Sequence, residues 1–80
     1  MVYVYIIVNS AKTFKYVGLT DDINKRVAEH NQGLSIATKG YQPLELKWYC
    51  AFPSRSEAAQ FENYLKSGSG RAFTQRHLVQ

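Results

Sequence analysis

The sequence predicts an α+β fold, in which a small three-stranded antiparallel β-sheet is flanked by helices in the order β-β-α-β-α-α. Three observations support this fold class. Residues 2–8 form a continuous run of valine, isoleucine and tyrosine, which is typical of a strand covered on both faces. Two later segments begin with helix-capping residues, and a second long apolar run, residues 44–52, ends at a proline. The pattern favours one small sheet with helices packed on it.

The first two strands are predicted to form an antiparallel hairpin. The polar residues 9–12 supply the turn, and residues 14–17 resume an extended, largely apolar pattern. Gly18 is predicted to end the second strand. Because alternate residues of a strand point to the same face, Tyr5 and Tyr16 are expected to face one shallow site.

The first helix is predicted over residues 22–32. Residues 20–22 offer capping oxygens and negative charge at its start, and a glycine follows its end as a stop signal. A spacing of four places Arg26 and His30 together on one face of this helix. Residues 33–43, which contain two glycines and a proline, are predicted to form a surface loop.

The second half of the chain is predicted to contain one strand and two helices. Residues 44–52 form the third strand, which a proline breaks. Residues 54–57 match a capping box, which opens a helix that runs to about Lys66. Residues 67–70 alternate serine and glycine and are predicted to be a flexible break. A short basic helix is then expected over residues 71–78.

Size, charge and cysteine content narrow the class of protein. A chain of 80 residues predicts a single domain over residues 1–80, and 45% hydrophobic residues exclude the disordered class. A net charge of +4 favours a polyanionic partner. Cys50 is the single cysteine, so neither an internal disulfide nor a cysteine metal site is expected, which fits the cytoplasm. The apolar start is too short to cross a bilayer, and no membrane partner is predicted.

Five residues form a candidate catalytic set. Hydrolysis of a phosphodiester requires a deprotonated water and positive charge on the transition state, often with a divalent metal. Tyr5 and Tyr16 are candidates for positioning and deprotonating the water, although a phenol needs nearby cations for that role. Arg26 offers a bidentate donor for the phosphate, and His30 could donate to the same group or relay a proton. Glu62 could hold Mg²⁺ or Mn²⁺, since Mg²⁺ often takes only one or two protein carboxylates.

A second set of residues is predicted to contact nucleic acid. Gly18 has no Cβ and would let a phosphate approach the backbone closely. Lys25, Arg26, Lys66 and Arg71 are the cations of this set. The basic residues are scattered along the sequence, which fits either ordinary surface charge or a broad phosphate-binding face.

The tyrosine-containing segments resemble the GIY-YIG nuclease domain, which occurs in homing endonucleases, excision-repair nuclease subunits and many small bacterial proteins. Residues 3–5, Tyr-Val-Tyr, are similar to the first signature element of that family. Residues 16–18, Tyr-Val-Gly, are similar to the second. The resemblance covers nearly the whole chain and indicates a small stand-alone bacterial-type member.

Both predicted long helices are similar to those of the same family. Residues 24–31 resemble its arginine helix, with Arg26 as the catalytic arginine and His30 where relatives carry histidine or tyrosine. Residues 56–66 resemble its metal-site helix, with Glu62 as the implied ligand. The resemblance implies single-metal hydrolysis of DNA, with a tyrosine as the base.

The sequence also departs from the family pattern and leaves alternatives open. Tyr3 replaces the glycine of the first element, and Leu19 stands where the repair nucleases carry a lysine that assists activation of water. A nucleic-acid-binding module with little or no turnover, or a protein-interaction module, would fit the same fold. A homodimer or a partner protein is compatible with the sequence, which does not define an interface.

Overall fold

The protein was analysed as a computed structural model, which describes residues 1–79. Its elements, in chain order, are β1 (Val2–Asn9), β2 (Lys15–Thr20), α1 (Ile23–Asn31), β3 (Leu44–Phe52), α2 (Arg55–Lys66) and α3 (Gly68–Phe73), followed by a π-helical turn (Thr74–Leu78). All three strands are antiparallel and lie in the order β2-β1-β3. The predicted α+β class and element order are confirmed.

Strand β1 lies at the centre of the sheet, which explains why its residues are apolar on both faces. Val4 and Ile6 pack with Ala58 and Leu65 of α2 in one cluster of buried side chains. Tyr5 and Ile7 point to the opposite face and belong to a second cluster. Residues that alternate along a central strand therefore build two cores, one on each side of the sheet.

A β-bulge in β3 lets alternate residues of one strand serve both cores. Ile6 pairs with Trp48, whereas the next residue, Ile7, pairs with Leu46, so Lys47 is an extra residue on β3. Leu46 packs in the cluster of Tyr5, and Trp48 packs in the cluster that contains α2. An extra residue shifts the strand by one position, which reverses the face to which the following side chains point.

Helix α1 is capped at its start and is hydrogen-bonded to the sheet at its end. At its start, the Asp22 carboxylate accepts a bond from the backbone N–H of Lys25, at 3.1 Å. At its end, the Asn31 side chain donates to the carbonyl of Leu44 at 3.0 Å and accepts from its N–H at 2.7 Å. The second contact joins the last turn of α1 to the first residue of β3.

The prediction that Gly18 ends the second strand is wrong. Strand β2 continues to Thr20, and Gly18 lies inside it, paired with Tyr5 of β1. The ring of Tyr5 crosses this position, because a Cβ built on Gly18 would lie 2.8 Å from Cε1 of Tyr5 and would overlap its hydroxyl. Gly18 therefore leaves space for the Tyr5 ring inside the strand and does not end the strand.

The prediction of a flexible break over residues 67–70 is also wrong. Ser67 caps a helix that begins at Gly68, with its hydroxyl accepting a bond from the N–H of Gly70 at 3.1 Å. A Cβ on Gly70 would overlap the carbonyl oxygen of Tyr64, so this glycine allows α3 to turn tightly against the end of α2. Residues 67–70 are therefore ordered by a helix cap and a close backbone contact, although their composition indicated flexibility.

No helix within residues 1–79 is both long enough and apolar enough to span a bilayer.

Candidate active site

Three aromatic rings from three different elements meet on the face of the sheet that α1 covers. The ring centroids of Tyr5 and His30 are 5.8 Å apart, and those of Tyr16 and His30 are 5.2 Å apart. Tyr5 and Tyr16 are separated by 6.4 Å. The strands place both tyrosines on this face because Tyr16 pairs with Ile7, two residues along β1 from Tyr5. We call this group the tyrosine–histidine cluster.

A buried chain of hydrogen bonds runs through the cluster. The Tyr5 hydroxyl lies 2.8 Å from Nε2 of His30, and Nδ1 of the same ring lies 2.7 Å from the Thr38 hydroxyl. Tyr5 is 1% exposed, and His30 and Thr38 are fully buried. Both nitrogens of the imidazole are therefore satisfied by side chains rather than by water.

The pKa values of Tyr5 and His30 indicate which group donates in each of these hydrogen bonds. Burial raises the pKa of Tyr5 to about 12, an effect that its interaction with Arg26 partly opposes. Burial, with the positive charge of Arg26, lowers the pKa of His30 below its usual value. A protonated phenol beside a neutral imidazole can donate to Nε2, which leaves Nδ1–H to donate to Thr38 and satisfies both ring nitrogens. The resting state thus holds the proton on Tyr5.

Thr38 is the one residue of these hydrogen bonds that was not predicted from the sequence. It lies in the segment predicted to be a surface loop, yet Thr38 is fully buried and Ser35 is 8% exposed. A threonine among small polar residues carries no local signal of burial, because its partner lies eight residues away on a helix. Only the packing of this loop against His30 identifies it.

Arg26 lies at the partly exposed edge of the cluster. Its Nη1 atom is 3.1 Å from Oε1 of Glu29, and about a third of each side chain is exposed, at 32% and 30%. The bond to Glu29, followed by the interaction with Tyr5, raises the pKa of Arg26 above its ordinary value. The guanidinium is consequently permanently charged, close to the Tyr5 hydroxyl and still open to a phosphate.

Glu62 lies on α2, the helix that packs against the opposite face of the sheet from the tyrosine–histidine cluster. Its negative charge contributes to the raised pKa of Tyr5, which places the carboxylate within electrostatic range of the phenol. One oxygen, Oε2, lies 3.3 Å from Nζ of Lys66, and the Glu62 side chain is 20% exposed. The structure brings Tyr5, Tyr16 and His30 together with Arg26 at their edge, whereas the place of Glu62 in the same site stays a prediction.

The residues present fit a hard divalent cation that uses one protein carboxylate. Within residues 1–79, no three His, Cys, Asp or Glu side chains cluster closely enough to form a metal cage. Mg²⁺ often takes one or two carboxylates and completes its shell with water and substrate phosphate oxygens. The partly exposed carboxylate of Glu62 suits that mode, whereas structural zinc, which needs four protein ligands, does not.

The predicted nucleic-acid contacts occupy different environments. Lys66 and Arg71 line a hollow that also contains Tyr16. Lys25 is exposed on α1 and does not line that hollow. Gly18 is buried beneath Tyr5, so its missing side chain is explained by packing, and its contact with phosphate stays a prediction.

Replacing a buried threonine with valine is expected to change the stability of the protein differently at Thr38 and at Thr74. We expect Thr38→Val to lower the free energy of unfolding by about 1–3 kcal/mol, because it leaves Nδ1–H of His30 without an acceptor. The Thr74 hydroxyl is buried and has no hydrogen-bond partner within residues 1–79, so Thr74→Val should be neutral or stabilising. Urea unfolding with unchanged m-values measures both. Equal destabilisation of both variants would contradict a specific role for the Thr38 bond.

Comparison with known proteins identifies the family to which this chain is related. The GIY-YIG catalytic domain family matches residues 1–76. A UPF0213 protein of Halobacterium salinarum is 42% identical over 67 residues, which cover 82% of this chain and 86% of that protein. A UPF0213 protein of Vibrio campbellii is 39% identical over 64 residues, or 79% of this chain, and the matched region spans 61% of the Vibrio protein's length.

A solved structure shows the same fold. The solution NMR structure of a UPF0213 protein from Bacillus halodurans superimposes with a TM-score of 0.56. The two proteins are 35% identical, and the match covers 95% of this chain and 82% of the other. With the match over residues 1–76 and the signature tyrosines gathered at one site, the chain belongs to the GIY-YIG family of nuclease domains.

Proposed function

We propose that this protein is an endonuclease that hydrolyses phosphodiester bonds with the aid of one divalent cation, and that DNA is its substrate. The convergence of Tyr5, Tyr16 and His30, with the Arg26 guanidinium beside Tyr5, carries the proposal, and Glu62 is assigned to the metal from its place in the family's helix motif. A donor fork, a phenol and a single carboxylate are the groups that phosphodiester hydrolysis needs. The choice of DNA rests on family membership.

The two tyrosines have different roles in this proposal. Tyr5 is 1% exposed and already donates to His30, so it positions the site and does not receive a proton in the resting state. Tyr16 is partly exposed and also lines the neighbouring hollow, where a substrate can reach it. Tyr16 is therefore the tyrosine that we assign as acceptor of the proton of the attacking water.

Arg26 and Glu62 act on the phosphate. Arg26 donates two parallel hydrogen bonds to the non-bridging oxygens and stabilises the charge that develops on them. Glu62 would hold Mg²⁺ or Mn²⁺, which when bound supplies Lewis-acid stabilisation to the phosphate and the leaving oxygen. His30 is fully buried with both nitrogens bonded, so it orients Tyr5 and leaves contact with substrate to the other groups.

The proposal is tested by cleavage of labelled single-stranded, duplex, flap and branched DNA, and of RNA, with Mg²⁺, Mn²⁺ or EDTA. We expect metal-dependent cutting by the wild type and a loss of about 10³-fold or more in Glu62→Ala, because metal stabilisation is worth several kcal/mol. Glu57→Ala, which removes an exposed carboxylate from the same helix, serves as the matched control and should cut normally.

The other outcomes separate the alternatives. Full activity of Glu62→Ala would refute the metal assignment. Salt-sensitive binding without cutting, retained in EDTA and in Glu62→Ala, would identify a nucleic-acid-binding module instead. An absence of any nucleic-acid affinity at low salt would favour a protein-interaction module.

A further inference from the structure

Two hollows lie side by side near the start of β2, one of the two edge strands of the sheet. The first lies between β2 and the helices α2 and α3, and the second lies at the end of the sheet, beside the turn between β1 and β2. The first has a volume of about 470 Å³, and Lys15, Lys66 and Arg71 stand around it. Tyr16 of the tyrosine–histidine cluster also lines it, and Thr74 and Gln75 border it on the opposite side. Tyr16 is thus the residue that this hollow shares with the candidate active site.

The second hollow continues the first. It also has a volume of about 470 Å³, and its cations are Lys12, Lys15 and Lys47. Lys15 and Gln75 line both hollows, so the two form one continuous groove that runs away from Tyr16. We call this groove, defined by Lys12, Lys15, Lys47, Lys66 and Arg71, the basic groove.

Cations outnumber carboxylates around the basic groove, in which Lys47 and Lys66 are ion-paired with Glu45 and Glu62 at 3.7 Å and 3.3 Å. Five of the chain's ten Lys and Arg residues line it, whereas none of the six Asp and Glu residues does. Within residues 1–79, Lys12, Lys15 and Arg71 form no ion pair. Another hollow, beside the start of α1, is lined by Asp21 and Asp22 and by no Lys or Arg. The fold thus sorts scattered basic residues onto one side of the site.

We propose that the basic groove binds the phosphodiester backbone of one nucleic-acid strand, next to the bond that is cut. The proposal rests on the function proposed above and adds the path of the substrate. Successive phosphates would lie against successive cations, and these contacts position a strand without reading its sequence. Lys66 joins the groove to the catalytic site, because its Nζ atom is 3.3 Å from Glu62.

The test compares two double variants that lower the net charge equally. Lys15→Gln with Arg71→Gln removes two cations of the groove, and Lys39→Gln with Arg55→Gln removes two exposed cations outside it. Binding of a fluorescent single-stranded oligonucleotide is measured by anisotropy in EDTA, so that no cutting occurs. Titrations at several salt concentrations give the slope of log affinity against log salt.

We expect the groove variant to bind at least about tenfold more weakly and to lower the magnitude of the salt slope by roughly 1.4, since each phosphate of a single strand that a cation neutralises adds about 0.7 to that slope. The control variant should change the slope by less than half as much. Exchanging the cations, Lys15→Arg with Arg71→Lys, should restore most of the affinity, which separates charge from damage to the fold.

Other results would separate the binding role of the basic groove from the proposed nuclease activity. Equal decreases in affinity in the two double variants, with binding by the wild type, would overturn the groove and leave the nuclease proposal standing. Failure of the charge-conserving pair to restore affinity would likewise overturn it. If the wild type bound no oligonucleotide even at low salt, the groove would be overturned, and the proposed function would be refuted as well if the same protein cut none of the labelled substrates.

Discussion

Arg26→Ala is expected to lower kcat for phosphodiester cleavage by about 10³-fold, the size of effect seen when a transition-state arginine is removed from a phosphoryl-transfer site. Arg26→Lys should recover little of this activity, because an ammonium keeps the charge but loses the planar pair of donors. Single-turnover cleavage at saturating protein measures the chemical step, so that weaker substrate binding does not imitate the defect.

The ion pair with Glu29 supplies the control for this experiment. Arg26→Ala also leaves the Glu29 carboxylate without its partner, which lies 3.1 Å away in the native protein. Glu29→Ala removes the same ion pair but retains the guanidinium, and we expect it to cut at close to the wild-type rate. If both variants lost activity to the same extent, the ion pair rather than the phosphate contact would explain the defect.

Gly18→Ala is expected to lower the free energy of unfolding by about 1–3 kcal/mol and to disrupt cleavage, since overpacking in a core forces side chains or backbone to move. The new methyl group would overlap the Tyr5 hydroxyl and lie 2.8 Å from Cε1 of its ring. Tyr5 cannot move away without breaking its 2.8 Å bond to His30. Urea denaturation measures the stability, and cleavage of the preferred substrate measures the damage to the site.

A second glycine gives the matched comparison. A Cβ on Gly68 would meet no atom within 4 Å, and this residue begins α3. Gly68→Ala should be neutral or stabilising by up to about 1 kcal/mol, because alanine restricts the unfolded chain more than glycine does. Equal effects of the two substitutions would show that Tyr5 does not depend on the space left by Gly18.

The local elements of this protein follow from short-range sequence signals. The third strand was predicted at residues 44–52 and spans Leu44–Phe52, because an apolar run and a following proline define both ends. The helix that follows begins where the capping box indicated, with Ser54 as N-cap accepting from the N–H of Glu57. Caps and periodicity act over one or two turns, so the sequence reports them directly.

Of the candidate site, the sequence identified the residue types and the chain order in which they occur. The signature tyrosines, Arg26, His30 and Glu62 were all named from their segments, and their catalytic roles stay predictions. Where local composition conflicted with packing, the sequence reasoning failed. Gly18 was interpreted as a strand terminator, although the ring of Tyr5 requires its missing side chain within β2.

The sequence by itself therefore determined most of the elements, their order and the candidate residues for phosphodiester chemistry, since these depend on nearby residues and on family motifs. Only the tertiary structure decided that Thr38 holds His30, that Tyr5 is buried and protonated, and that scattered cations form the basic groove. These features depend on side chains that are far apart in the chain and meet only through strand pairing, the bulge in β3 and helix packing. Burial and charge at such places are properties of the assembled fold, which no local pattern encodes.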